Sequence, residues 1–159
     1  MEPEAEATSR IRPLPFEEST GFLVRDLNRA IQRDIQLGIQ DHGVPPGAWY
    51  FLRVLWEDDG LTQRELADRI GMSEPTAVIA LRGMEQAGWI RRVRSEQDKR
   101  KVHLYVTPKG QALREELMPV AFDVNARATA GFSADEVRMF NALLRRARAN
   151  FASSDPGAT

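Results

Sequence analysis

The 159-residue sequence contains no cysteine and only two histidines, His42 and His103. Without cysteine the chain cannot form a disulfide, use a thiol nucleophile or hold a cysteine-ligated zinc ion, and two histidines leave few ligands for any other metal site. It also lacks an apolar run of about 18 residues and a basic-then-apolar leader. These absences predict a cytoplasmic protein that needs no metal or other cofactor and does not enter a membrane.

An excess of basic residues is also missing, because 22 Lys and Arg residues are set against 23 Asp and Glu residues. The distribution is less even than the total. Residues 61–110 carry ten basic and six acidic side chains, a net charge of +4, and the rest of the chain carries −5. A neutral average can conceal a basic face that binds nucleic acid.

Apolar periodicity predicts two helices ahead of this basic segment. The first runs from Ser19 to about His42, where apolar residues recur every four positions: Leu23, Leu27, Ile31, Ile35 and Ile39. The stretch HGVPPG breaks the pattern, and an aromatic-rich second helix is predicted from about Gly47 to Asp58. Residues 1–18 are rich in proline and glutamate, and we predict a flexible arm there.

The segment LTQRELADRIGMSEPTAVIALRGMEQAGW predicts a helix-turn-helix. Thr62 is a suitable N-cap, Glu65 completes a capping box three residues later, and Gly71 ends this helix after about two turns. Ser73 is placed to cap a second helix that ends near Gly88. Two short helices joined by a tight glycine-containing turn are typical of the motif.

A change of period after this segment predicts a β-hairpin. WIRRV and VHLYV alternate every second residue, and the polar loop RSEQDKRK separates them, so a wing follows the helix-turn-helix. Thr107 then caps a helix to about Ala130, with a kink or break predicted at Pro119. Ser133 caps a last helix to about Phe151.

The predicted fold class is mainly α with a small two-stranded β-hairpin: a winged helix-turn-helix with long N- and C-terminal helices. The winged lobe covers residues 46–107. Residues 19–45 and 108–152 form the terminal helical region, whose helices are too apolar to stand alone and can pack on each other or on those of a second chain. Residues 153–159 are predicted to be a disordered tail.

The wing carries most of the candidate DNA contacts: Arg92, Arg94, Asp98, Lys99, Arg100 and Lys101. An arginine at a loop tip can enter the minor groove, and the other cations can pair with phosphates. Asp98 would hold Arg100 in place through a charge-assisted hydrogen bond. A charged hairpin loop alone can equally be a solvated surface, but behind a helix-turn-helix it favours DNA.

The second helix of the motif is the predicted recognition helix, with its exposed N-terminal positions in the major groove. These candidate contacts are Ser73, Glu74, Pro75, Thr76, Ile79 and, further along, Arg82. The hydroxyl groups can bond bases or phosphates, and Ile79 can meet a thymine methyl group. Val78, Leu81 and Met84 are assigned to the core. A single basic residue on the helix argues against strong direct base readout.

In this order and spacing the residues resemble the MarR family of winged-helix transcriptional regulators, over roughly residues 20–150. The resemblance rests on the LTQxELA helix, the GMSxxT turn, MExxGWIRR, the DxR formed by Asp98 and Arg100, and LYVTPKG. It implies a homodimer on a pseudo-palindromic double-stranded DNA operator. It also implies that residues 19–45 and 108–152 are the dimerisation region.

The resemblance further places a ligand pocket between the dimerisation helices and the DNA-binding lobe. The matching candidates are His42, Trp49, Tyr50, Arg53 and Trp56. Aromatic rings can stack on a planar ligand, and Arg53 can clamp a carboxylate, although aromatics at this helical spacing more often belong to a core. The absent cysteines and scarce histidines argue against oxidant and zinc sensing, which leaves an organic ligand or none.

The predicted function is sequence-specific transcriptional regulation through DNA rather than catalysis, since no nucleophile, acid–base pair or phosphate loop stands out. The expected form is a homodimeric repressor released by an aromatic acid, a phenol or an acyl-CoA. A constitutive DNA-binding winged-helix protein, or an activator without a small-molecule ligand, is the alternative. Family members commonly carry a basic or polar residue at the positions of Ile79 and Gly83, so base readout is expected to differ here.

Overall fold

A winged lobe and three long helices account for residues 12–152, the part of the chain that the computed structural model describes. The helices are α1 (Thr20–Ile39), α2 (Pro46–Glu57), α3 (Gln63–Ile70), α4 (Glu74–Gln86), α5 (Pro108–Ala128) and α6 (Ala134–Ala152). The strands are β1 (Leu61–Thr62), β2 (Ile90–Arg94) and β3 (Val102–Val106). The mainly α class and the winged helix-turn-helix are confirmed.

Part of the segment before α1 is helical. Residues Phe16–Glu18, inside the predicted flexible arm, form a short 3-10 helix. The Phe16 ring stacks on Phe22 of α1 with ring centroids 4.4 Å apart, and Ser19 Oγ accepts a hydrogen bond from the Phe22 N–H. This part of the predicted arm is therefore packed on α1 rather than free. Residues 1–11 of the arm and the predicted tail at 153–159 lie outside the described residues.

The sheet has three antiparallel strands in the order β1–β3–β2, one strand more than predicted. Residues 61–62 pair with Leu104 and His103 of β3. The Gly60 N–H donates to the Leu104 carbonyl at 3.0 Å, and His103 Nδ1 lies 2.7 Å from the Gly60 carbonyl oxygen. A two-residue strand has no alternation of its own, so the sequence pattern could not reveal it.

The core lies where α1, α2, α4 and α5 meet the base of the wing. Its largest fully buried side chains come from all of these elements and from α3: Ile39, Phe51, Leu52, Leu55, Leu66, Leu81, Met84, Leu104 and Leu117. The core positions predicted for α4 are confirmed at Leu81 and Met84, whereas Val78 is half-buried. Along α1, Ile35 is buried but Leu23 is 50% exposed. Among residues 12–152, the apolar stripe of α1 is therefore fully buried only in its C-terminal half.

α5 is one continuous helix through Pro119, so of the kink or break predicted there, the break is wrong. A proline inside a helix removes one backbone hydrogen bond and crowds the preceding turn. Buried side chains on both sides of the proline, Leu117 and Ala121, hold the helix against the core. Tertiary packing therefore overrides the local preference of this residue.

α6 begins with a capping box of which the sequence analysis predicted only the N-cap residue, Ser133. Ser133 Oγ accepts from the Glu136 N–H at 3.2 Å, and the Ser133 N–H donates to Glu136 Oε2 at 2.7 Å. None of residues 134–151 is buried. Several of their apolar side chains are exposed: Met139, Leu143, Leu144 and Phe151. Across residues 12–152, no helix is long and apolar enough to span a membrane.

Candidate nucleic-acid interface

A capping box and a left-handed glycine shape the helix-turn-helix. Thr62 Oγ1 accepts from the Glu65 N–H at 3.3 Å, and the Thr62 N–H donates to Glu65 Oε2 at 2.8 Å, as predicted. Hydrogen bonds from the Thr62 side chain and backbone lower the pKa of the Glu65 carboxyl. α3 ends at Gly71, whose φ of 70° is accessible to glycine at no steric cost. The Met72 N–H then donates back to the Ala67 carbonyl at 3.0 Å, and the chain passes directly into α4.

α4 has one buried face and one exposed face. Ala77, Leu81 and Met84 pack into the core. All six predicted contact positions of the recognition helix are exposed: Ser73, Glu74, Pro75, Thr76, Ile79 and Arg82. Ser73 holds the N-cap position, but its side chain makes no capping hydrogen bond. Its Oγ lies 2.9 Å from Thr76 Oγ1 instead. Ser73 is therefore the N-cap residue as predicted, but its hydroxyl engages a neighbouring hydroxyl rather than a backbone N–H.

The C-terminal end of α4 is held by two residues whose role the sequence analysis missed. Gly88 adopts a left-handed φ of 76°, in agreement with the predicted helix end. Lys109 Nζ donates to the Ala87 carbonyl at 2.8 Å, and Thr107 Oγ1 donates to the Gly88 carbonyl at 2.5 Å. A cation and a hydroxyl thus satisfy carbonyl groups that lack helical partners. The TPKG motif was the available signal, and its side chains fasten the start of α5 to the recognition helix.

Asp98 organises the tip of the wing. Asp98 Oδ1 accepts from Arg100 Nε at 3.3 Å and from the Arg100 N–H at 3.1 Å, the contact expected between these residues. The Lys101 N–H donates to the Asp98 carbonyl at 2.8 Å and closes the loop. The Arg100 side chain remains 93% exposed, so the contact orients it without covering it. Arg94, Lys99 and Lys101 are also exposed.

Arg92 differs from the other cations of the wing. Its Nε donates to Glu85 Oε2 of α4 at 2.9 Å, and its side chain is 31% exposed. Arg92 lies opposite the fully buried Leu104 in the β2–β3 register, so it is on the sheet face that looks toward the helices. The Glu85 carboxylate offsets the charge of this guanidinium. No local pattern in the sequence indicated this link between wing and recognition helix.

The five predicted ligand residues do not line one cavity, although the Arg53 guanidinium lies 5.9 Å from the centre of the Trp49 ring. Trp49 and Trp56 are only 3% and 8% exposed, and their rings meet edge to face with centroids 6.2 Å apart. Trp56 Nε1 also donates to the Gly110 carbonyl at 3.1 Å, so both rings belong to the core. His42 lies on a different surface, with its Nδ1 3.1 Å from the Glu116 carboxylate of α5.

Tyr50 and Arg53 line a separate pocket of about 540 Å³ between α1, α2 and α3. Its other lining residues are Asn28, Gln32, Pro46, Val54, Arg69, Ile70 and Met72. Burial raises the pKa of the Tyr50 phenol, and a hydrogen bond with Gln32 opposes this shift. Arg53 Nη1 contacts Met118 Sδ at 2.8 Å, and Arg53 Nη2 lies 3.6 Å from Glu57 Oε1. A cavity lined by both polar and apolar side chains therefore exists here, with two of the five candidates on its wall.

An exposed recognition helix beside an exposed basic wing defines a DNA-binding winged helix-turn-helix protein. The sequence profile described as the MarR family matches residues 42–101. The chain is 29% identical to the HTH-type transcriptional regulator YybA of Bacillus subtilis over 122 aligned residues. The alignment covers 77% of this chain and 81% of that protein. These matches confirm the predicted resemblance to the MarR family of DNA-binding transcriptional regulators, and these relatives are regulators rather than enzymes. Matches to two further curated regulators span 55% and 62% of their lengths.

Solved structures share the fold. A MarR family regulator from Listeria monocytogenes, in complex with a 26mer DNA, has a TM-score of 0.81 at 24% identity, over 86% of this chain and 91% of that chain. BpsR of Bordetella bronchiseptica, whose DNA binding is regulated by 6-hydroxynicotinic acid, has a TM-score of 0.77 at 22% identity, over 86% and 98% of the two chains. At these identities the likeness establishes the architecture alone.

Proposed function

We propose that this regulator is a homodimeric repressor that binds a pseudo-palindromic operator and is released by a small organic ligand. The ligand classes are those expected from the sequence: an aromatic acid, a phenol or an acyl-CoA. The observation that carries the proposal is the separation of two surfaces, an exposed recognition helix and wing on the lobe, and an uncovered apolar surface on the terminal helices. Its site of action would be the cytoplasm, where a chromosomal operator is accessible.

A second copy of the chain is the proposed cover for the apolar surface of the terminal segments. Exposed large apolar side chains there include Leu14, Phe16, Leu23, Val24, Met139, Leu143, Leu144 and Phe151. Single apolar residues on a surface are ordinary, but a set of this size marks an interaction site. α6 in particular contributes no buried residue among positions 134–151. The same patch on two copies would give a self-complementary two-fold interface.

The two-fold axis would present two lobes to one face of the duplex. Recognition helices in successive major grooves read half-sites about 10 bp apart. The exposed cations of each wing, with Arg100 at the tip, would pair with phosphates or enter the adjacent minor groove. Phosphate contacts would supply most of the affinity, and the exposed residues of α4 would supply sequence preference.

Release is proposed to act through the pocket between α1, α2 and α3, because α1 belongs to the terminal helices and α3 to the lobe. A ligand that contacts Tyr50 and Arg53 in this pocket would favour one of two orientations of the winged lobes relative to the terminal helices of the dimer. The ligand shifts the equilibrium only by its difference in affinity for the two orientations. A dimer held with the wrong separation of recognition helices would lose its operator.

One observation favours a second candidate function, a constitutive winged-helix DNA binder or an activator that responds to no ligand. The two arginines at the pocket already have carboxylate partners. Arg53 Nη2 lies 3.6 Å from Glu57, and Arg69 Nη2 lies 2.5 Å from Asp58. An anionic ligand would have to displace these partners, whereas a protein without a ligand leaves them in place.

The test of DNA binding and release is fluorescence anisotropy of the full-length protein with DNA from upstream of its own gene. We expect sequence-preferring binding that weakens steeply with salt and that one compound from a panel of aromatic acids, phenols and acyl-CoA thioesters abolishes. Arg100→Ala should weaken binding to all sequences and lower the salt slope by about 0.9 for each phosphate that the variant no longer neutralises. Arg114→Ala, an exposed arginine on α5, is the matched control. Binding that no compound alters would instead support the constitutive candidate.

The test of assembly is light scattering on the same protein. We expect a particle of twice the 17.9 kDa chain mass. Leu143→Glu places a charge on the exposed face of α6 and should shift the protein to monomer and weaken operator binding, while its circular dichroism stays that of the parent. A parent protein that is monomeric at micromolar concentration and still binds a palindromic operator tightly would contradict the dimer.

A further inference from the structure

Ile79 stands out in the winged lobe because its side chain is 75% exposed. Within residues 46–107, all of which the structure describes, no other large apolar side chain is exposed. The other exposed apolar side chains belong to the terminal helices and the segments that adjoin them. A lone exposed aliphatic residue is ordinary on a protein surface, but Ile79 lies on the predicted DNA-contacting face of α4.

Ile79 shares the exposed face of α4 with Thr76 and Arg82, which lie three residues before and after it. Among residues 12–152, the position one helical turn toward the C-terminus leaves it open, because Gly83 has no side chain and a Cβ placed there would meet no atom within 4 Å. The next position, Ala80, is small and lines an open apolar pocket beside the helix. A flat partner can therefore approach the isoleucine closely.

The remaining chemistry of this face limits which base it can read. No cation occurs between Ser73 and Ile79, so the bidentate arginine or lysine contact that selects guanine is absent there. The hydroxyls of Ser73 and Thr76 lie 2.9 Å apart and engage each other. Ile79 adds apolar surface to this face. The major groove presents one apolar group that could contact it, the C5-methyl group of thymine.

We propose that Ile79 is a specificity-determining residue that selects one thymine in each operator half-site by burying its C5-methyl group. The inference rests on the proposed placement of α4 in the major groove. It assigns two roles to different parts of the lobe: the wing cations bind any sequence, and Ile79 discriminates between sequences. Loss of the isoleucine should therefore change base preference without changing salt dependence.

The test starts from an operator that the full-length protein itself selects from a random 30-bp duplex library. Each thymine is then replaced in turn by deoxyuridine, which lacks only the methyl group, and affinity is measured by anisotropy. We expect one symmetry-related pair of positions to respond. Each methyl group removed should weaken binding about fourfold, the factor for burial of one such group, and removal of both about fifteenfold.

Two variants connect this effect to the residue. Ile79→Ala should bind the thymine operator about as weakly as the parent binds the deoxyuridine operator, and should no longer distinguish the two. Ile79→Val keeps both branches on the Cβ and loses only the terminal Cδ1 methyl group, so it should retain most of the discrimination. Because the side chain is exposed, both variants should melt at the temperature of the parent, and their salt slopes should equal that of the parent.

Two results would overturn the inference: deoxyuridine without effect at every thymine, or an undiminished deoxyuridine effect in Ile79→Ala. Either would leave DNA binding by the lobe intact and assign the exposed isoleucine to another partner. Failure to enrich any sequence from the library is a different outcome. It would contradict the proposed operator binding itself, and the inference with it.

Discussion

Replacement of Gly110 by alanine is predicted to destabilise the protein, because the start of α5 has no room for a methyl group. A Cβ on Gly110 would lie 2.9 Å from the Trp89 carbonyl carbon and 2.9 Å from Val106 Cγ1, and closer still to the Trp89 carbonyl oxygen. This carbonyl belongs to the backbone and already accepts from the Thr107 N–H at 2.9 Å. It cannot swing aside as the end of a side chain can, so the first turn of α5 must move away from the wing.

The expected loss follows from the hydrogen bonds that this movement breaks. Trp56 Nε1 donates to the Gly110 carbonyl in the core at 3.1 Å, and a buried donor left without its partner costs about 1–3 kcal/mol. The bond from Thr107 Oγ1 to the Gly88 carbonyl would weaken as well, at a cost of about 1 kcal/mol. The better helix propensity of alanine offsets at most about 1 kcal/mol. The free energy of unfolding should fall by about 2–3 kcal/mol.

Urea denaturation followed by circular dichroism measures this change, with protein concentration held constant because assembly affects apparent stability. Gly83→Ala is the matched control, since a Cβ at that helical position would meet nothing within 4 Å. The control should be neutral or more stable by up to about 1 kcal/mol. If Gly110→Ala differs from the parent by less than about 0.5 kcal/mol, the packing argument for this junction is refuted.

Three further predictions concern single hydrogen-bonded groups. Glu85→Gln should loosen Arg92 from α4 and steepen the salt slope of DNA binding by about 0.9 per protomer; an unchanged slope would mean that Arg92 does not reach phosphate. Because hydrogen bonds from Thr62 lower the pKa of Glu65 in the folded state, the stability they provide is present above the unfolded pKa and is lost as pH falls through the folded pKa. Glu65→Gln should therefore flatten the acid dependence of the urea midpoint, and equal dependence in both proteins would contradict it. Trp56→Phe should cost about 1 kcal/mol of stability through loss of its indole hydrogen bond, which urea denaturation can measure.

Much of the candidate interface could be predicted because its signals are local. The Thr62–Glu65 capping box and the left-handed glycines at Gly71 and Gly88 involve residues only a few positions apart. Alternation in the two strands of the wing is likewise a property of short segments. The Asp98–Arg100 contact spans two residues. These elements therefore followed from the order of the residues, and the exposed positions of α4 followed from helical spacing.

The remaining features depend on residues that are distant in sequence. The aromatic helix α2 carries Trp49, Tyr50, Arg53 and Trp56, and the sequence could not tell which of them turn toward the core. The fold sends the two tryptophans inward, where Trp56 meets Gly110, and leaves Tyr50 and Arg53 at the pocket between α1, α2 and α3. The helix has several apolar faces, so only its neighbours determine which one is buried.

By itself the sequence determined the order of the six α-helices and the two wing strands, the helix-turn-helix, the charge of the wing and the resemblance to a family, since each depends on periodicity, composition or contacts within a few residues. Only the tertiary structure decided that β1 joins the sheet, that α5 runs through Pro119, and that Glu85 engages Arg92. The β1 pairing and the Glu85–Arg92 ion pair join groups that folding brings together from distant parts of the sequence. The continuity of α5 depends on burial that offsets the cost of a proline inside a helix. Such contacts leave no periodic trace in the chain.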